Sequence, residues 1–233
     1  IGAYLNDGNG NNSGHVRVYE FKLPTQDEWD NGNVIKGDDA ANLNPGGNNY
    51  WVQLGSDIDG EDAGDQSGTS VSLSSNGGTV AIGAQYNDEN GADSGHVRVY
   101  TYNGASWDKV GPDIDEVTTS AGDRSGYSVS LSNSGGKLAV GAINHDSNKG
   151  CVRVYEFNNQ NLWSQIGSNI EGEAAGDFSG TSVSLSSDGS IVAIASPGDP
   201  SENGEGGEGG EGGEGGNSGE QKVTSHVRVY QFS

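Results

Sequence analysis

The sequence predicts an all-β fold, a β-propeller of four-stranded antiparallel blades with about three and a half blades in the chain. Three observations predict it. A Val-Arg-Val-Tyr strand motif recurs four times, Trp recurs at a fixed spacing, and the composition is poor in large apolar residues. Hydrophobic residues make up 30% of the 233, while Gly alone accounts for 41. An ordinary globular domain carries ~45–50% apolar residues. Small residues must therefore do much of the packing, which suits turn-rich β-structure.

The strand motif reads Gly14-His15-Val16-Arg17-Val18-Tyr19, then returns at 95–100, as Gly150-Cys151-Val152-Arg153-Val154-Tyr155, and as Ser225-His226-Val227-Arg228-Val229-Tyr230. A second motif, Gly64-Asp65-Gln66-Ser67-Gly68-Thr69-Ser70-Val71-Ser72-Leu73-Ser74, returns at 122–132 and 176–186. A third, Val80-Ala81-Ile82-Gly83-Ala84, is echoed at 138–142 and 192–196, and its tail stands at the start as Ile1-Gly2-Ala3. The fourth carries Trp51, Trp107 and Trp163, spaced 56 residues apart. A fixed period of this size marks a solenoid or a propeller. Ser-Val-Ser-Leu-Ser and His-Val-Arg-Val-Tyr alternate with the period of a strand. Asn76-Gly77 and Asp188-Gly189 are strong hairpin signals. Each repeat thus reads as four short strands, one blade.

The repeats make one propeller domain over residues 1–233, interrupted twice. Residues 20–50 form a loop insertion that contains Trp29, and 198–222 form a second one, rich in Gly and Glu. The second has no apolar side chain to bury and reads as a flexible polyanionic loop.

Charge narrows the partners. With 33 acidic and 11 basic residues the net charge is −22. A phosphate backbone needs a basic footprint, so nucleic acid is excluded as a partner, and anionic membrane surfaces are disfavoured. No apolar run reaches the length of a spanning helix, so membrane insertion is not expected. One Cys rules out an internal disulfide framework. The chain carries no Met and no leader pattern at Ile1, and it reads as a processed or partial product.

The order Ser-Gly-x-Ser-Val, Val-Ala-Ile-Gly-Ala, Gly-His-Val-Arg-Val-Tyr resembles the FG-GAP repeat of integrin α-subunit propellers and related surface proteins. Ser67-Gly68, Ser125-Gly126 and Ser179-Gly180 stand where that family has Phe-Gly. Gly83-Ala84, Gly141-Ala142 and Ala195-Ser196-Pro197 stand where it has Gly-Ala-Pro. The resemblance implies an extracellular or cell-surface propeller used for adhesion or assembly. The family's Ca²⁺ loops do not carry over. The corresponding segments 75–78, 133–136 and 187–190 hold too few oxygen ligands for a cage.

The candidate residues follow from the repeats. Arg17, Arg98, Arg153 and Arg228 share one strand position, and the planar guanidinium suits a carboxylate. They are expected to pair with the repeated Asp65, Asp123 and Asp177 as structural ion pairs; a ligand-binding ring of Arg is the alternative. A nucleophile occurs once per site, whereas Gly-Asp-x-Ser-Gly occurs three times, so no catalytic residue is assigned and no enzyme is expected. Trp51, Trp107 and Trp163 either cap blades or stack on glycans. The oxygen-rich loops at 6–14 and 87–95 either bind Ca²⁺ through Asp7, Asp88 and Asp93 or form Asx turns. Asn11 heads the sequon Asn11-Asn12-Ser13, an N-glycosylation acceptor in a secreted protein. The reading is a non-catalytic, extracellular structural or adhesive propeller. Its expected partners are other subunits or further blades, as a homo-oligomer or polymer. A glycan-binding propeller is the alternative, and a propeller-scaffold enzyme comes third.

Overall fold

The computed structural model describes residues 1–22, 50–114, 120–198 and 225–232. The cores of both predicted insertions, 23–49 and 199–224, lie outside these residues. The first insertion is shorter than the sequence suggests, because residues 20–22 and 50 belong to paired strands.

Among the described residues five antiparallel sheets make four successive blades, the first blade being split into two sheets. The second blade is β6 (Ser70–Leu73), β7 (Thr79–Ala84), β8 (His96–Tyr102) and β9 (Trp107–Lys109), hydrogen-bonded in that order. The third repeats it with β10 (Ser125–Leu131), β11 (Lys137–Ala142), β12 (Cys151–Phe157) and β13 (Trp163–Glu171). The fourth has three strands, β14 (Ser182–Leu185), β15 (Ile191–Ser196) and β16 (His226–Gln231). The first blade supplies the second, third and fourth strand positions. Here β1 (Gly2–Ala3) pairs with β2 (His15–Val16), which pairs with β5 (Ile58–Asp59). Further out, β3 (Tyr19–Lys22) pairs with β4 (Tyr50–Gln53). These strands form one hairpin interrupted at Arg17, and the bond from Leu54 N to the Val18 carbonyl (2.8 Å) spans the gap.

The alternation seen in the sequence fixes how blades stack. Val97 and Val99 of the second blade face Val129, Leu131, Leu138 and Val140 of the third in one apolar cluster. Val16, Val18 and Ile58 meet Val80 and Ile82 across the preceding junction, and Val152 and Val154 meet Val192 and Ile194 across the next. The serines on the innermost strands stitch the same junctions. Ser70 Oγ donates to the Gly126 carbonyl (2.7 Å), and Leu131 N donates to Ser72 Oγ (2.9 Å). Ser128 Oγ donates to the Gly180 carbonyl (2.6 Å), and Leu185 N donates to Ser130 Oγ (3.0 Å). Glycine is needed where blades come closest. A Cβ at Gly83 would lie 2.0 Å from the Gly126 carbonyl oxygen, and one at Gly141 would lie 2.2 Å from that of Gly180.

The loops at 6–14 and 87–95 reach sideways as well. The carbonyls of Ser13 and Ser94 accept from Ser67 N (2.9 Å) and Ser125 N (2.9 Å) of the following blade's motif. In the third blade the corresponding loop holds a left-handed turn at Asp146, Ser147 and Asn148 (φ 47, 60 and 63°).

Candidate functional site

Arg98 and Arg228 sit on the third strands of their blades and reach the segment leaving the blade before. Arg98 Nη2 donates to the Asp59 carbonyl (2.9 Å) and to Ser67 Oγ (3.1 Å). Arg228 Nη2 makes the same pair of bonds, to the Glu171 carbonyl (2.8 Å) and Ser179 Oγ (3.2 Å). Their ion-pair partners are Glu61 (3.3 Å from Arg98) and Glu173 (3.6 Å from Arg228). Arg17 grips Asp57 with Nε and Nη2 at 2.8–3.0 Å, and this hydrogen bonding holds Asp57 below the ordinary carboxylate range. Arg153 lies 3.9 Å from the repeated Asp123, and its Nε donates to Asn169 (3.2 Å).

The repeated aspartates serve a different contact. Asp65 accepts from Asp62 N (3.2 Å) and Asn87 Nδ2 (3.0 Å). Asp123 accepts from Ser120 N (2.9 Å) and faces His145 Nδ1 at 3.0 Å. Asp177 accepts from Glu173 N (2.7 Å) and Ala174 N (2.9 Å). Each closes the turn that enters its own repeat. Burial raises the pKa of Asp65.

Trp107 Nε1 donates to the Leu54 carbonyl (2.7 Å), and Trp163 Nε1 donates to the Val110 carbonyl (3.0 Å), in each case on the preceding blade. Tyr102 and Phe157 lie beside these rings at 5.1 and 5.2 Å. Trp107 and Trp163 therefore cap their blades. Trp51 pairs with Phe21 in the same way (5.2 Å) but is 66% exposed.

The oxygen-rich loops fold on themselves. Asp7 Oδ1 accepts from Asn12 N (2.8 Å), and Asp88 Oδ1 accepts from Asp93 N (2.8 Å). Both bonds span the loop, and Asx turns precede them, with Gly8 N donating to Asn6 Oδ1 (2.7 Å) and Glu89 N to Asn87 Oδ1 (3.0 Å). Asp93 takes a left-handed φ of 52°, and its carbonyl accepts from Arg124 N (3.1 Å). Asn11 is exposed on the first of these loops.

The largest departure from even burial lies at the two ends of the series. Val97, Val99, Val152 and Val154 are at most 1% exposed, whereas Val227 and Val229 at the same strand positions are 66% exposed. Ser182 and Ser184, counterparts of the stitching serines, are exposed on the same blade. At the other end Ile1, Phe21 and Trp51 are exposed, together with Val71 and Leu73 of the second blade. Apart from Trp51, sequence reasoning missed these as site residues, because their motif positions match those of buried neighbours.

His96 is fully buried. Burial, and then the Arg98 guanidinium, push its pKa down to about 4. Cys151 stands at the matching position of the third blade, and burial pushes its thiol up to about 12.

Residues 58–100 match the FG-GAP repeat. This FG-GAP repeat runs from β5 through the first three strands of the second blade. No curated protein matches the chain. Among solved structures, the chain is similar to a candidate 6-phosphogluconolactonase from Bacteroides uniformis (15% identity, TM-score 0.46, covering 66% of this chain and 39% of that one). It is also similar to TolB from Acinetobacter baumannii (17% identity, TM-score 0.34, covering 63% and 31%). A third similarity is to the tricorn protease (9% identity, TM-score 0.34, covering 64% and 13%). The chain thus spans less than half the length of each. Among the described residues, no helix is long and apolar enough to cross a membrane.

Proposed function

We propose that this chain is a non-catalytic propeller module of a secreted or cell-surface protein, acting in assembly or adhesion through its open blade faces. One observation carries the reading: Val227 and Val229 are 66% exposed where the same positions of the inner blades are closed. At ~25 cal/mol per Å² of apolar surface, covering such a face contributes several kcal/mol to association. The partner is a blade of the same repeat type, because the inner junctions show what fits: a Val/Leu strand, a Trp edge and a backbone that accepts serine hydroxyls. Exposed Asn11 suits a glycan acceptor on the outer surface of such a module.

Sedimentation velocity tests it. Reversible association that disappears in Val227→Asp/Val229→Asp supports the reading. A monomer at all concentrations, with both valines inaccessible to labelling after replacement by Cys, overturns it.

A second reading rests on Trp51 beside Phe21, an exposed aromatic pair suited to stacking on a sugar face. Glycan-array binding that is lost in Trp51→Ala would favour it over blade docking.

A further inference from the structure

Between the first two blades lies a cleft of about 550 Å³, lined by Glu61, Asp62, Asp65, Asn87, Glu89 and Asp113. One ligand atom from each of Glu61, Glu89, His96 and Asp113 lies within 4.8 Å of all the others. An acidic cleft alone would be unremarkable in a chain this acidic. His96 makes the difference: it is fully buried, and neither ring nitrogen has a hydrogen-bond partner. A buried polar nitrogen left unpaired is costly, and native folds keep few of them. Here the imidazole faces three carboxylates, which cannot donate to it while ionised.

The cluster already draws cations. Lys109 Nζ sits 2.5 Å from Asp113 Oδ1 and 3.7 Å from Glu61 Oε1, and Arg98 Nη1 sits 3.3 Å from the same Glu61 oxygen. Lys109 is partly exposed. The other repeats add a second line of support. The first blade keeps the pair as His15 and Asp57 (3.7 Å). The third has Cys151 and Asn169 at the two positions, so imidazole and carboxylate are replaced together.

We propose that Glu61, Glu89, His96 and Asp113 bind Zn²⁺, which clamps the segment leaving the first blade to the second blade. One imidazole with carboxylates suits zinc, at ~2.0–2.2 Å per ligand. Ca²⁺ takes oxygen ligands throughout, and the imidazole works against it. Glu61 and Glu89 are exposed and can close around the ion, while His96 is held by its pairing with Ala84 and Asp113 by the neighbouring Val97–Ile114 bridge.

The test is calorimetric titration of the metal-stripped chain with Zn²⁺, paired with thermal melts. E61Q/E89Q alters two exposed side chains and leaves the buried framework intact, and circular dichroism checks its fold. The wild type should bind Zn²⁺ and melt at a higher temperature with it. E61Q/E89Q should weaken the tightest binding event at least about tenfold and abolish the rise. K109Q removes the competing ammonium and should tighten binding. The proposal is overturned if the wild type fails to bind Zn²⁺, if E61Q/E89Q binds as the wild type does, or if K109Q binds more weakly. Ca²⁺ binding to the same groups as tightly as Zn²⁺ would overturn the choice of metal.

Discussion

The third and fourth blades carry nearly the same strands in different surroundings. Val152 and Val154 on β12 are closed over by Val192 and Ile194, while Val227 and Val229 on β16 face solvent. Sequence identity at these positions therefore does not decide burial; the neighbouring blade does. A propeller repeat is half of an interface, and its apolar face is completed only by the next repeat.

Matched substitutions exploit this contrast. Val154→Asp buries a charge at an inner junction and should cost at least ~4 kcal/mol, enough to abolish cooperative folding. Val229→Asp should leave the melt of the monomer unchanged and remove association. Equal destabilisation by both would break the comparison.

Arginine gives the next largest effect. Arg98 is nearly buried and holds a carbonyl and a hydroxyl across a junction, so Arg98→Ala should cost ~1.5–3 kcal/mol in urea unfolding. The partner Glu61 is partly exposed, which spares it the larger penalty of a stranded buried charge. Arg17→Ala, in an exposed pair, should shift the midpoint little.

Tryptophan should follow the same order. Trp107→Phe removes the indole bond to Leu54 and should cost ~1 kcal/mol. Trp51→Phe should cost less in the isolated chain, and comparing the two melts measures how far the first blade lacks a neighbour.

The smallest effect is chemical. Cys151, pushed up to about 12 by burial, carries almost no thiolate near neutral pH. Native protein at pH 8 should resist iodoacetamide for hours, whereas urea-unfolded protein should react at the rate of an ordinary thiol. Rapid labelling of the native chain would show that the junction around β12 opens readily.

Much of this architecture was legible in one sequence. Period-2 alternation in Ser70–Leu73 and His96–Tyr102 located strands, and the Trp spacing gave the repeat. The arginine partners were not legible, because Glu61 and the Asp59 carbonyl reach Arg98 only once the preceding blade is stacked. The repeated aspartates looked available for pairing, but short-range turn bonds such as those from Glu173 N and Ala174 N to Asp177 engage their oxygens. The cluster around His96 draws on three separate segments, and its trace in the sequence was slight: His and Asp give way together to Cys and Asn in the third repeat.

The serine stitching has a directional consequence. Ser72 and Ser130 each accept from the first strand of the following blade, while Ser70 and Ser128 donate to it. The junction is thus built from two unlike surfaces, and the series of blades has a head and a tail. A second copy joining through these surfaces must add in the same sense as the blades themselves. Such contacts close into a cyclic ring, of two copies or more, or run on as a filament, and they cannot pair one face with the same face of another copy.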